Sequence, residues 1–290
     1  MNNSRLSQTF LRMIGTVIVL NSCSQNQVAQ TGLPTSPPQE QIKPSLQDEW
    51  MPKQVPGTRR YIIEDSSTIL LSDDSTHTSS LQTATVYSLS LIALADSFLF
   101  TAKVDSMSSN SRSSPKESEA NKASAQTVHA TFSSTGEMSA LKGEAPSSCQ
   151  GGVDAAAMRV FELTQSYPKK RIRVGDRWTD TVSATSCRGR TVLNQQIIRE
   201  YQLLELTSWK DHDVAKIQQE VSAIVTATNS ESQNNLTATG SGTGKRIFYA
   251  DRITGFLRES NGRSESRLTI NTSRGSYPFT QSITTHIEIR

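Results

Sequence analysis

Apolar residues recur at every second position over several stretches of this chain. Tyr87, Leu89, Leu91 and Ala93 alternate with Val86, Ser88 and Ser90. After the break at Ala95-Asp96-Ser97, the pattern resumes with Phe98, Phe100, Ala102 and Val104. Successive side chains of a strand point to opposite faces, so a period of two marks a half-buried strand and fixes which residues share its buried face. The same window is rich in Thr, Val, Tyr and Phe, which favour strand over helix. Hydrophobic residues make up only 34% of the chain and aromatics 6%, and Ser and Thr are frequent throughout. That composition suits many half-buried strands better than thick helices.

Further strands follow from the same signal. Tyr61-Ile62-Ile63 and Ile69-Leu70-Leu71 precede a polar break at residues 72–76. Thr127–Phe132 is a strand with Val128, Ala130 and Phe132 on one face, and Met138–Lys142 begins its partner. Ala215, Ile217, Val221, Ala223 and Val225 share a face of Val214–Ala227, with Gln219 interrupting the series. Thr191–Leu206, Leu236–Tyr249, Phe256–Glu259, Arg267–Asn271 and Phe279–Ile289 complete a meander. In the last of these, Phe279, Ile283, Ile287 and Ile289 point to one side. Strands adjacent in sequence pair most often and sheets twist, so the expectation is one large, strongly curved antiparallel sheet.

One segment reads as helix, Val153–Tyr167. Asp154 is its acidic first turn, Ala157, Val160, Phe161 and Leu163 form an apolar stripe, and Pro168 stops it. After it, Gly175-Asp176 is a tight-turn signal that feeds Trp178 into a strand. The predicted fold class is therefore mainly β (α+β): a half-barrel sheet packed over one helix. Residues 58–290 form the domain, with helix 153–167 and a disordered insert at 106–126, where the run from Ser106 to Ala125 is polar and of low complexity.

The N-terminus carries an address. Arg5 and Arg12 flank a segment without acids, and an apolar run from Met13 to Leu20 follows. A basic start and a short apolar core are the parts of a secretory leader, here residues 1–22. The run is far below the ~20 residues of a bilayer-spanning helix. Residues 23–57 are rich in Gln, Pro and Ser and read as a disordered tether, with Trp50 and Met51 the first residues placed to dock. Of 30 Lys+Arg, two leave with the leader, so 28 remain against 27 Asp+Glu. That balance gives no electrostatic case for nucleic acid. The one dense basic cluster, Lys169-Lys170-Arg171-Ile172-Arg173, reads as a solvated strand edge or loop.

Leu20-Asn21-Ser22-Cys23 resembles the lipobox of bacterial lipoproteins, with Leu20, Ser22 and Cys23 matching and Asn21 a less usual occupant of a permissive position. The resemblance implies that Cys23 is cut to the N-terminus and acylated, anchoring the protein in a membrane of the cell envelope. Several acyl chains are needed for such an anchor to hold, at ~0.8 kcal/mol per buried CH₂. A curved antiparallel sheet over a helix behind a lipobox also resembles the Lol-type and mycobacterial lipid-binding lipoproteins. Val174-Gly175-Asp176-Arg177-Trp178, Phe248-Tyr249-Ala250-Asp251 and Gly255-Phe256-Leu257 resemble a group of uncharacterised exported bacterial lipoproteins, over roughly the second half of the chain.

With Cys23 acylated, Cys149 and Cys187 remain. An even count in an exported chain reads as a disulfide, which in the chain-entropy model stabilises by roughly 3–4 kcal/mol; two free core thiols are the rival reading. No metal site or cofactor is expected, because His77, His129, His212 and His286 share no ligand motif. Asp73-Asp74 with His77, and Asp211-His212-Asp213, sit in predicted turns, where such residues are ordinary. Gly240-Ser241-Gly242-Thr243-Gly244-Lys245 is neither a phosphate-binding loop, since Thr239 and Arg246 occupy required Gly and Ser/Thr positions, nor a nucleophile elbow. Its glycines fall on one face of a strand, where they permit a bend or close packing by the helix.

No enzyme is read from the sequence. Two functions remain open. One is a binding or carrier module for a lipid or other apolar ligand, held on a concave face of Tyr87, Leu89, Leu91, Phe98, Phe100, Ile217, Val221, Val225, Phe279 and Ile283. The other is a structural or interaction protein of the envelope with no small-molecule ligand.

Overall fold

The computed structural model describes residues 49–71, 78–95, 97–111, 127–133, 138–143, 153–154, 160–188, 191–229, 236–273 and 275–290. The expected leader, Cys23, the tether up to residue 48, Cys149, and Asp73-Asp74 with His77 lie outside these residues. So do 112–126 of the polar insert and 155–159 of the predicted helix.

The described chain is mainly β. In order it forms β1 (Glu49–Trp50), β2 (Gly57–Leu71), β3 (Thr78–Ala93), β4 (Ser97–Ser111), β5 (Thr127–Ser133), β6 (Met138–Gly143) and β7 (Val153–Asp154). A single helical turn α1 (Val160–Leu163) precedes β8 (Ile172–Arg173), β9 (Arg177–Arg188), β10 (Thr191–Trp209), β11 (His212–Asn229), β12 (Leu236–Asp251), β13 (Leu257–Thr272) and β14 (Gly275–Ile289). Twelve strands make one curled sheet in the order β6-β5-β4-β3-β2-β14-β13-β12-β11-β10-β9-β7. It is an antiparallel half-barrel apart from β7, which lies parallel to β9. The curl brings Cα atoms of the two edge strands, β6 and β7, within 8 Å of each other.

Two sequential meanders compose this sheet. β2–β6 form one and β9–β14 the other, and they are joined where β14 pairs with β2, from Phe279↔Leu71 to Ile289↔Tyr61. Tyr87, Leu89, Leu91, Phe100, Ala102 and Val104 are buried on the inner face, as the alternation predicts, while Ala93 is exposed. The β10–β11 hairpin closes on a two-residue turn, Lys210-Asp211, both with positive φ (48° and 63°), which suits the right-handed twist of the flanking strands.

Three sequence expectations need correction. The helix over 153–167 is not formed as one unit: among the described residues of the segment, Val153-Asp154 is β7, Val160–Leu163 turns helically, and Thr164–Tyr167 has no regular structure. Ala-rich periodicity supports a helix locally, but tertiary contacts pull the second part of this segment into an extended strap. The insert does not begin at Ser106, because β4 continues to Ser111 opposite β3, with Ser111↔Leu81. The tether does not extend to residue 57: β1 pairs with β8, and Trp50 is 3% exposed while Met51 is exposed. Among the described residues, no helix is long and apolar enough to cross a membrane.

The glycines of β12 share one face, as expected, and at Gly240 it is a neighbouring strand that packs close. A Cβ at Gly240 would lie 2.3 Å from the Arg267 carbonyl oxygen and 2.8 Å from Leu268, so the neighbouring strand takes the space.

Candidate functional site

The interior of the half-barrel collects the residues of the predicted apolar face, all but Ile283 of them in two clusters. Tyr87, Leu89, Leu91, Phe100 and Ile217 belong to the larger one, with Phe98 packed against it. Val225 and Phe279 belong to the smaller one, with Val221 packed against it. Ile283 is buried, at 4% exposure, but belongs to neither cluster.

The larger cluster is closed at one end by a cap. Trp50, Leu163, Tyr167, Ile172 and Phe256 join it, and Trp50 meets Tyr167 edge-to-face at 5.2 Å. Backbone acceptors fix the cap's aromatic residues. Trp50 Nε1 donates to the Arg252 carbonyl at 3.0 Å, Tyr167 Oη to that of Gly255 at 2.9 Å, and Trp178 Nε1 to that of Ser166 at 2.8 Å. Such polar tips must find partners when the ring is buried. Burial pushes the Tyr61 and Tyr167 phenols above their ordinary pKa.

Two turns carry the cap. Asp176 N–H donates to the Arg173 carbonyl, and the Asp176 carboxylate accepts from Arg173 N–H. The Gly175 N–H and Asp176 carbonyl then staple this turn to Leu203 of β10. The predicted turn at Gly175-Asp176 is thus formed, and β9 starts at Arg177. In the β12–β13 turn, the Asp251 carboxylate accepts from the N–H groups of Ile253 and Thr254, from Thr254 Oγ1, and from Arg258. Burial alone raises its pKa, but the Arg258 and Thr254 hydrogen bonds outweigh that and hold it below the ordinary value. Gly255 has φ +71°, and a Cβ there would sit 2.2 Å from the Lys53 carbonyl oxygen. Only glycine lets residues 53–55 cross so closely.

The strap Glu162–Tyr167 hangs inside the sheet from two buried arginines. Arg199 of β10 pairs with Asp180 of β9 through Nε at 2.8 Å and Nη2 at 2.5 Å, and its Nη1 donates to the Thr164 carbonyl at 3.4 Å. Its pKa is raised: burial pulls it down, and Tyr201 and Asp180 more than offset that. Arg246 of β12 donates through Nε to Gln219 Oε1, through Nη1 to the Glu162 carbonyl at 2.9 Å, and through Nη2 to Gln165 Oε1 at 3.0 Å. Its guanidinium lies 5.2 Å from the Phe248 ring centroid. Burial lowers its pKa to about 10, so it stays cationic at neutral pH.

These arginines lie in or beside a polar belt that crosses the inner face. Read through the register, one row runs Tyr201, Gln219, Arg246, Gly262, Thr285, Asp65 and Thr83 across seven adjacent strands. The Asp65 carboxylate accepts from Thr285 Oγ1 at 2.7 Å and Thr83 Oγ1 at 3.2 Å. Nearer the smaller cluster, Gln281 Nε2 donates to Ser67 Oγ at 3.0 Å, with Ser264 and Ser266 buried alongside. The belt runs between the two apolar clusters, which Ile197 bridges by packing against both.

Sequence reasoning placed the apolar face and missed the belt. An interruption at Gln219 is the one signal of it that the alternation carries, and Gln219 is indeed inward, at 1% exposure. The remaining candidates stay apart. Cys187 is fully buried near the end of β9. His129 is exposed on β5 and shares a 3.0 Å hydrogen bond with Thr101; His286 shares one of 2.8 Å with Asn261; His212 is exposed beside the Lys210-Asp211 turn. In the basic cluster, Lys169 and Lys170 are exposed, whereas Arg171 and Arg173 form ion pairs with Glu49.

No protein-family model matches the chain, and no curated protein matches it either.

Proposed function

We propose that this chain is a lipid-anchored, exported protein of the cell envelope whose half-barrel is a non-enzymatic binding or carrier module for an apolar ligand. The observation that carries the ligand reading is the interior itself. Ten residues chosen for their alternation all face one concavity, on strands from both meanders, and one end of that concavity is capped by Trp50, Tyr167 and Phe256. Burial of apolar surface at ~25 cal/mol per Å² is a sufficient driving force for an acyl chain entering such a site.

The anchor reading rests on Leu20-Asn21-Ser22-Cys23 and on the basic, then apolar, segment before it. It places the membrane contact at an acylated Cys23. An exported location also supports a Cys149–Cys187 disulfide, and Cys187 is buried and not a free side chain. The second reading, a structural or interaction protein without a ligand, is favoured by one feature: the strap packs Leu163 and Tyr167 into the larger cluster, filling that end of the interior from within.

Two experiments decide. Native mass spectrometry after mild extraction is expected to show a co-purifying lipid, and a clean apo mass supports the ligand-free reading instead. Fractionation of a Cys23→Ala variant is expected to move the protein from membrane to soluble fractions. A variant that stayed membrane-bound would refute the anchor.

A further inference from the structure

Arg246 is a buried cation with no close ion pair among the described residues; the partly buried carboxylate of Glu162 acts on it only from a distance. Arg246 is 4% exposed, and its three hydrogen bonds go to two amide oxygens of side chains and one backbone carbonyl. Among the described residues no carboxylate lies within ion-pair distance of it. Its neighbour Arg199, by contrast, has the carboxylate of Asp180. A buried charge left without a partner of opposite sign is expensive, so proteins retain one where something else neutralises it.

The polar atoms left over beside Arg246 point the same way. Arg246 Nε fixes the Gln219 amide by donating to its Oε1, which turns Gln219 Nε2 elsewhere, and that nitrogen closes no well-formed hydrogen bond. Tyr201 stands directly opposite Gln219 in the register, and the Gln219 amide leans on its phenol oxygen without closing a well-formed bond, so the hydroxyl proton keeps no acceptor. Both are able to donate. A row with a buried guanidinium that has no close carboxylate, and with N–H and O–H donors beside it that lack well-formed acceptors, has the chemistry of an oxyanion site. The inward positions beside the guanidinium, Gly244 on its own strand and Gly262 opposite, carry no side chain. From Arg246, the inward face of β12 continues through Gly244 and Gly242 toward the smaller apolar cluster.

We propose that Arg246, Gln219 and Tyr201 form a site for the anionic head of an amphiphile, a carboxylate or phosphate ester whose chain lies along the β11–β12 inner face. The Gln165 amide oxygen, seated on Arg246 Nη2, is the resident stand-in for a ligand oxygen. This deepens the carrier reading and rests on it.

The test compares palmitate, 1-hexadecanol and inorganic phosphate on the full chain by titration calorimetry, with Gln219→Glu as the decisive variant. That substitution supplies the missing carboxylate in place. The wild type is expected to bind palmitate at least about tenfold tighter than the alcohol. Gln219→Glu is expected to keep or raise the thermal midpoint and to bind both ligands equally. Should it fail to fold, Tyr201→Phe, which removes only the hydroxyl, is expected to weaken palmitate about fivefold and leave the alcohol unchanged.

Equal binding of palmitate and alcohol by the wild type would overturn the anion site while leaving an apolar carrier. A palmitate preference unchanged in Gln219→Glu, or in Tyr201→Phe where that variant stands in, would place the head group elsewhere and overturn it too. Phosphate binding as tightly as palmitate would replace the amphiphile by a free anion. Absence of any binding would remove the carrier reading along with this one.

Discussion

The two meanders build their inner faces from different interactions. Over β2–β6 the interior is dominated by Tyr87, Leu89, Leu91, Phe100, Ala102, Val128, Ala130 and Phe132, with Phe100 and Phe132 meeting edge-to-face at 5.5 Å. Over β9–β14 the apolar residues share the interior with Arg199, Gln219, Arg246 and Gln281, and the strap hangs from the two arginines. Dispersion and burial tolerate rearrangement, because a cavity is partly relaxed by its neighbours. Buried charge networks do not, because losing one member strands the others. The difference shows that the first meander supplies apolar volume, while the second fixes geometry.

That contrast breaks most sharply at Arg199. Arg199→Met leaves the Asp180 carboxylate without its guanidinium partner and removes a donor to the strap, and a loss of about 4 kcal/mol is expected in denaturant unfolding. The double variant Arg199→Met/Asp180→Leu is expected to recover most of it, since no charge is then stranded. On the other side, Leu89→Ala is expected to lose about 3 kcal/mol, and no polar second substitution should rescue it. Rescue at Leu89, or none at Arg199, would erase the distinction.

A smaller effect sharpens it at the cap. Asp251→Asn weakens the brace on Ile253, Thr254 and Arg258 and is expected to remove about 1–2 kcal/mol near neutral pH. Asp251 titrates below its ordinary value when folded, so its contribution is fully present above the unfolded carboxylate pKa. It is lost as pH falls through the folded one. The wild type should therefore lose more stability than Asp251→Asn in the acid range, and the two curves should converge there. Parallel curves would contradict this.

The smallest effect is expected outside the interior. Lys210, on the β10–β11 turn, bonds Glu259 and Glu288, and those hydrogen bonds raise its pKa. The lysine is solvated, so Lys210→Ala is expected to leave the unfolding midpoint unchanged within error.

The first meander was the more legible in the sequence, for the same physical reason. Tyr87 to Leu91 and Phe98 to Val104 alternate apolar with polar, and a period of two needs nothing else to assign a face. The polar belt defeats that signal. Asp65 and Ser67 are inward, so β2 reads as two short strands where the structure has one from Gly57 to Leu71. Ser260, Gly262, Ser264 and Ser266 do the same to β13, splitting an unbroken Leu257–Thr272 into two fragments. Arg199 and Arg246 were invisible as interior residues, because an arginine in a strand ordinarily marks the solvent face. Nothing local distinguishes them; their burial depends on Asp180, nineteen residues away from one, and on a strap more than eighty residues from the other.

The strap shows the converse error. Its predicted helix rests on local periodicity, and a helix that short depends on its packing more than on propensity. Here the packing is directed by backbone carbonyls. Those of Glu162, Thr164, Gln165 and Ser166 are taken by Arg246, Arg199, Gln54 and Trp178, which an α-helix continuing past Leu163 would need for its own ladder.

An apolar ligand of the kind proposed would lie on the concave face. Photo-crosslinking with a diazirine-bearing fatty acid, followed by peptide mapping on the full chain, tests this most directly. The expected result is labelling of β3, β11 and β14 at inward positions such as Leu89, Val225 and Phe279. Labelling confined to outward apolar residues such as Ile224 and Ile253, which are 61% and 75% exposed, would contradict it.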